Sequence, residues 1–143
     1  MSEQVSNVYA KQEEDLPVEE FTTPGPEFAA PDDSLDQVLA LMQAHQIHHV
    51  PCVHENKIVG IVSDRDIYKA LSESRSGQDA VEKYMTREVF TVQVSDPIYQ
   101  VALGMSKQRI NSAIVLDEQE NIYGIFTSTD ALNALVEILR GEL

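Results

Sequence analysis

The chain has 143 residues, 43% of them hydrophobic, and carries 24 acidic against 10 basic side chains for a formal net charge of −14. That apolar share supports a buried core and excludes the disordered class. The charge repels phosphate backbones and anionic lipid headgroups, which argues against nucleic-acid and membrane partners but not against a small anionic ligand met by a local arginine or a helix N-terminus.

Residues 1–16 read as an acidic N-terminal arm, flexible and solvated, with Lys11 as their only base. The N-terminus lacks a basic segment followed by an apolar stretch, and no apolar run approaches the ~20 residues of a membrane span. Cys52 is the only cysteine, so no intrachain disulfide forms. These features predict a cytoplasmic protein.

Two repeats follow, 17–76 and 77–143. The first opens with VEEFTT (18–23) and the short extended segment PEFAAP. Ser34, with Gln37 three residues later, then caps an amphipathic helix whose Leu35, Val38, Leu39 and Met42 share a face. HHVPCV (48–53) turns through HENK into IVGIVS as a hairpin, and a second helix runs from about Asp64 to Ser72. SESRSGQ (72–78) is a polar connector. The second repeat runs through VEKYMT (81–86), the extended segment EVFTVQV and a helix with Asp96 as N-cap and Pro97 at its first position. That helix carries Ile98, Val101, Ala102 and Met105. SAIVLD turns through DEQEN into IYGIFT, and a last helix runs from about Ser128 to Arg140.

The duplication stays in register from end to end. At an offset of 63, Val18/Val81, Glu19/Glu82, Thr23/Thr86, Asp33/Asp96, Gln37/Gln100, Val38/Val101, Met42/Met105 and Ile47/Ile110 are identical. After one inserted residue the offset is 64, and Gly60/Gly124, Ile61/Ile125, Asp66/Asp130, Ala70/Ala134 and Leu71/Leu135 match. The order is β-α-β-β-α twice: an α/β fold, α+β by strict classification. Each repeat alone is small for a core, so the two are expected to pack sheet against sheet as one pseudo-symmetric module.

Both repeats close their last strand alike, GIVSDRD (60–66) and GIFTSTD (124–130). Ser/Thr-x-x-Asp before a helix is a capping-box pattern, in which the hydroxyl caps an amide and the carboxylate lies in the positive first turn. The same atoms also suit a nucleotide: free N–H groups and a hydroxyl for phosphate, and a carboxylate for the paired hydroxyls of a ribose. Gly60 and Gly124 leave room for a ligand or a neighbouring backbone. Ser63 with Asp66, and Thr127 with Asp130, are thus candidate half-sites.

The duplicated unit with these terminal motifs resembles the CBS domain, named for cystathionine β-synthase, in its tandem pair form. The resemblance spans residues from about 18 to 140 and rests also on MTREVFTVQVSDPIYQVALGM and IHHVPCV. It implies two clefts between the repeats that take an adenosine-containing regulatory ligand: AMP, ADP, ATP or S-adenosylmethionine. Ser63 and Thr127 would contact phosphate, and Asp66 and Asp130 would hold ribose. Val50, Pro51 and Cys52, with Ala113 and Ile114, would line the base. Phe28, Ala29 and Ala30, with Thr91 and Val92, would form the opposite wall. Homodimerisation and regulation of an unidentified partner protein are implied, with no required cofactor and no catalysis; the alternative is an interaction module with vacant clefts.

The half-sites differ. Arg65 stands where the second repeat has Thr129, Phe28 where it has Thr91, and Pro51 where it has Ile114. Arg65 either reaches a phosphate, which would make the first repeat the anion-preferring site, or pairs with Asp64 or Asp66 at the surface. All four histidines and Cys52 fall in HQIHHVPCVH (45–54). The second repeat has no equivalent set, and zinc usually needs four spaced ligands. His48 and His49 are therefore expected as polar residues at a turn and Cys52 as a buried strand residue. Beside a cleft, protonation of these histidines would modulate ligand or dimer contact. Without histidines elsewhere, an activated nucleophile or a phosphate loop, an enzyme is not expected.

Overall fold

The computed structural model describes residues 16–25, 27–73 and 76–142; apart from Leu16, the acidic arm lies outside them, as does the middle of the 72–78 connector. In chain order the elements are β1 (Thr23–Pro24), α1 (Leu35–His45), β2 (His49–His54), β3 (Lys57–Ser63), α2 (Asp64–Ser72), β4 (Thr91–Gln93), α3 (Ile98–Gln108), β5 (Ser112–Leu116), β6 (Ile122–Thr127) and α4 (Ser128–Leu139), with short 3-10 turns at Val18–Phe21 and Val81–Lys83. The strands form a two-stranded sheet, β2-β3, and a four-stranded sheet, β1-β6-β5-β4. The fold is the mixed α/β arrangement expected from the duplication.

Two compact units divide the chain: a continuous one, Glu27–Val89, and a split one joining the segment before residue 26 to the chain from Phe90 onward. They do not coincide with the sequence repeats, because each repeat's opening segment docks on the unit built mainly by the other. In the split unit β1 lies antiparallel to β6, pairing Thr23 with Ile125 and Pro24 with Gly124. Val18 and Glu19 donate their N–H groups to the carbonyls of Asp96 and Val94, at 2.8 and 3.2 Å. In the continuous unit Thr86 and Ile61 exchange both backbone hydrogen bonds, at 2.8 and 2.9 Å, and Val81 N–H donates to the Asp33 carbonyl.

Each unit encloses its own core. In the continuous unit Leu35, Val38 and Met42 of α1 pack with Val50 and Cys52 of β2, Val62 of β3, and Ile67 and Ala70 of α2. In the split unit Ile98, Val101 and Met105 of α3 join Val92, Ala113, Val115, Phe126 and Ala134. Burying one such aliphatic side chain contributes about 1.5–3 kcal/mol, so the period-3.6 faces and the alternating strand faces decide which side of each element turns inward.

The local signals explain most boundaries. Ser34 and Gln37 form a reciprocal capping box at the start of α1. Both α1 and α3 end on a left-handed residue, Gln46 (φ 54°) and Arg109 (φ 55°), and the next amides, Ile47 and Ile110, reach back to the Met42 and Met105 carbonyls at 3.0 Å. This is a Schellman-type end without its usual glycine. Glu55 and Asn56, both with positive φ, make the two-residue turn between β2 and β3 that matches strand twist. One expectation fails at α3. Pro97, not Asp96, is its N-cap, with an extended ψ of 134° and no side-chain cap. The Asp96 carboxylate instead turns back to accept from Gln93 N–H at 2.9 Å, and Ile98 N–H donates to the Leu16 carbonyl at 2.8 Å. A residue before proline is pushed to extended backbone, which favours this local turn.

Candidate functional site

Both Ser/Thr-x-x-Asp motifs fall at strand-to-helix junctions, where β3 runs into α2 and β6 into α4. At the first, Ser63 Oγ accepts from Asp66 N–H at 3.1 Å while Asp66 Oδ2 accepts from Ser63 N–H at 3.0 Å. At the second, Asp130 Oδ2 accepts from Thr127 N–H at 2.8 Å and from the Thr127 hydroxyl at 3.1 Å. These are complete capping boxes. All four side chains are half-buried, while Arg65 and Thr129 are exposed in the first helical turn.

The two glycines are explained by neighbouring backbone. A Cβ on Gly124 would run into the Thr23 carbonyl oxygen, and one on Gly60 would come within 2.9 Å of the Thr86 carbonyl oxygen. Thr23 and Thr86, identical across the repeat, are thus the residues laid over the last strand of each unit. Thr23 Oγ1 also reaches Asp130 Oδ1 at 3.5 Å, which adds a hydroxyl to the second junction. Identity of Thr23 with Thr86 was the available signal for this position. That identity does not by itself disclose the position's role, because the docking of each opening segment on the other unit is invisible in a linear repeat.

The segments expected to line the base and those expected to form the opposite wall are hydrogen-bonded neighbours within each unit. Ala29 pairs in parallel with Cys52, its N–H donating to the Pro51 carbonyl at 2.9 Å and its carbonyl accepting from Val53 N–H at 2.8 Å. Val92 pairs with Val115 and Thr91 with Ile114 in the same parallel sense. The side chains of Ala29, Val50, Cys52, Val92, Ala113 and Ile114 are buried, as is Pro51. A ligand at these residues would meet backbone and shape. Phe28, by contrast, is 57% exposed; Ala30 is half-buried, and Thr91 in the other unit is exposed.

The histidines of 45–54 disperse. His45 lies 3.5 Å from Glu27 and His48 Nδ1 2.8 Å from Asp64 Oδ2. His49 pairs across the hairpin with Ser63. Burial holds its imidazole below the usual histidine pKa, against the raising fields of Asp64 and Asp66. Burial also pushes the Cys52 thiol up to about 11, which leaves it protonated at neutral pH. Among the described residues no three His, Cys, Asp or Glu side chains gather as a metal site would require, and no helix is long and apolar enough to cross a membrane.

Against known proteins, the CBS domain family model matches residues 18–73 and 81–137. The chain is 37% identical over 98 residues, 68% of its length, to an L-aspartate semialdehyde sulfurtransferase of Methanocaldococcus jannaschii, and covers 19% of that protein. It is 36% identical over 104 residues, 72% of its length, to a homoserine O-acetyltransferase of Methanococcoides burtonii, covering 20% of it. The chain thus spans about a fifth of these curated relatives. Among solved structures, the CBS domain pair of protein MJ0100, crystallised with 5′-methylthioadenosine and S-adenosyl-L-methionine, superposes with a TM-score of 0.73 at 32% identity, over 83% of this chain and 94% of that one. A putative acetoin utilization protein of Vibrio cholerae gives a TM-score of 0.71 at 28% identity, over 87% and 93%. With both family matches falling on the two β-α-β-β-α repeats and on both capped junctions, this chain belongs to the CBS domain family as a tandem pair.

Proposed function

We propose that the chain is a non-catalytic regulatory module that binds an adenosine-containing ligand at its two Ser/Thr-x-x-Asp junctions and transmits occupancy to a partner protein. The observation that carries this reading is the likeness to a CBS domain pair crystallised with two adenosyl compounds. The chemistry of the junctions agrees with it. Each offers a helix start, a hydroxyl and a carboxylate, and capping engages Oδ2 of Asp66 and Asp130, so a ribose hydroxyl would land on Oδ1, an oxygen that at Asp130 also accepts from the Thr23 hydroxyl at 3.5 Å. Ser63 and Thr127 would face a phosphate or the ligand's polar tail, and the backbone of Val50–Cys52 and Ala113–Ile114 the base. Binding shifts the population of the module toward its occupied state, and the partner reads that shift. Cytoplasmic location and homodimerisation belong to the same proposal. For the dimer, α4 supplies an apolar stripe of Leu132, Leu135, Val136 and Leu139, each between 47% and 77% exposed.

A second reading has its own support. Both hydroxyls and both carboxylates are already engaged in reciprocal caps, as they would be in an interaction module whose junctions bind nothing. Thermal unfolding separates the two. Under the ligand reading, AMP, ADP, ATP, S-adenosylmethionine or 5′-methylthioadenosine at about 100 times its Kd stabilises the native state by about 2.7 kcal/mol, and Asp66→Ala with Asp130→Ala abolishes the shift while the chain still folds. An unchanged melting temperature with all five compounds at millimolar concentration would falsify the ligand reading and leave the interaction module.

A further inference from the structure

The two junctions share a backbone but differ in charge. Asp64 N–H donates to the His48 carbonyl at 2.9 Å, and at the matching place Ser128 N–H donates to the Asn111 carbonyl at 3.1 Å. His49 stands directly across from Ser63, and Ser112 directly across from Thr127. Directly opposed residues of an antiparallel pair point to the same face with Cβ atoms about 5 Å apart, so His49 and Ser63 project from the same face of the hairpin. Where the split unit has Asn111, Ser112, Ser128 and Thr129, the continuous unit has His48, His49, Asp64 and Arg65. Neutral polar groups at one junction thus correspond to two imidazoles, a carboxylate and a guanidinium at the other.

Charge counting at the continuous unit's junction sets the condition for an anion. With both imidazoles neutral, Arg65 is outnumbered by Asp64 and Asp66, and the junction is net negative. One added proton cancels that charge. His49 is the poised group: burial opposes its protonation foremost, His48 and Arg65 oppose it further, and Asp64 and Asp66 favour it. An anion brought alongside adds to the favouring side and tips the ring toward the charged form. The split unit's junction has Asp130 but no imidazole to answer in this way.

We infer that the continuous unit's junction selects a ligand bearing a phosphate or other anionic group and takes up a proton from solvent at His49 as it binds, while the split unit's junction binds without proton uptake. The inference rests on the adenosyl-ligand reading and adds to it a charge class and a linkage to pH. Arg65 supplies the fixed positive charge, and His49 the conditional one.

Titration calorimetry of the whole chain at about pH 7.5, in two buffers of different ionisation enthalpy, tests it with AMP as the anionic probe and adenosine as the uncharged one. The expected result is uptake of more than about half a proton per AMP at one site and none with adenosine, the ring being mostly neutral before binding and mostly charged after it. His49→Gln should abolish the uptake and weaken AMP about tenfold, the loss of one charge-assisted hydrogen bond. Arg65→Gln, at an exposed position, should weaken AMP several-fold while keeping the uptake. The phosphate's own second ionisation, near pH 6, is common to all variants, so the difference between them is the readout. AMP binding with equal proton exchange in wild type and His49→Gln overturns the inference and leaves the adenosyl reading standing. Should His49→Gln fail to fold, adenosine 5′-sulfate, an anion that does not titrate near neutral pH, replaces AMP, and proton exchange identical to that of adenosine in the wild type overturns it equally. If neither compound binds, nor any other adenosyl ligand, the reading beneath it falls as well.

Discussion

Gly124 marks the place where the split unit is closed by its distant N-terminal segment, and alanine there is a sharp probe of that closure. A Cβ at this position would collide with the Thr23 carbonyl oxygen and sit 3.1 Å from Pro24 Cα and 3.1 Å from Thr22 Cγ2. The first two are backbone atoms, which cannot rotate away, so the chain has two ways to respond. Overpacking with β1 in place costs about 1–3 kcal/mol. Release of β1 forfeits the Gly25 N–H to Tyr123 carbonyl bond at 3.1 Å and the Thr23–Asp130 contact at 3.5 Å, as well as the pairing along β6, at about 0.5–1.5 kcal/mol per hydrogen bond. The two routes cost about the same, so Gly124→Ala should destabilise the split unit by about 2–3 kcal/mol with partial detachment of residues 22–25. At Gly60 the nearest obstruction is the Met85 side chain, Sδ at 2.6 Å, which can turn aside, with the Thr86 carbonyl at 2.9 Å. Gly60→Ala should therefore cost less, about 1 kcal/mol. Urea unfolding followed by circular dichroism gives both numbers, and hydrogen exchange at Gly25 reports release of β1. A Gly124→Ala chain within about 0.5 kcal/mol of wild type, or a larger loss at Gly60, would refute the assignment of these glycines to backbone closure.

Other consequences follow from local chemistry. Burial lowers the folded-state pKa of His49 below its unfolded value, so the unfolded chain binds the proton more readily. This contribution to stability is full above the folded and unfolded values and declines as pH falls through them; in His49→Gln the decline as pH falls below about 7 should be shallower, and parallel curves would contradict this. Cys52, buried and with its thiol pushed up to about 11, should resist a thiol reagent in the folded chain and react at once in denaturant; rapid labelling of the native chain would show that β2 is more open than described. Arg109 holds a left-handed φ of 55° at the end of α3, so Arg109→Gly should raise stability by up to about 1 kcal/mol in urea unfolding. A loss on this substitution would mean that the arginine side chain, not its backbone, secures the helix end.

The fold was largely legible because its signals are local and doubled. Ser34 with Gln37, the apolar faces of α1 and α3, and the two hairpins each depend on residues a few positions apart. Reading them twice in register removed the ambiguity of any single one. Asp96 shows the limit of that reasoning: a capping residue before proline also matches a tight turn, and the pull of Gln93 N–H decided between them. The docking of VEEFTT on the second repeat's strands was not legible, since a duplicated sequence is equally consistent with each segment packing on its own repeat. For the same reason Gly60 and Gly124 could be read as ligand clearances, whereas Thr86 and Thr23 fill the space. At the junctions, the sequence pattern named Ser63, Asp66, Thr127 and Asp130, and these residues do share their caps. It did not reveal that His49 lies across from Ser63, because strand register depends on the Glu55–Asn56 turn and on the bulge between Cys52 and Val53.

The central claim is that the two capped junctions hold an adenosyl ligand. Equilibrium dialysis with labelled S-adenosylmethionine and labelled AMP, on the wild type, Asp66→Ala, Asp130→Ala and the double variant, measures it directly. Saturable binding of at least one of the two ligands to the wild type is expected. Each single substitution should remove the binding at its own junction, and the double variant should bind neither ligand while unfolding cooperatively. Binding that survives in the double variant, or no saturable binding of either ligand to the wild type, would contradict it.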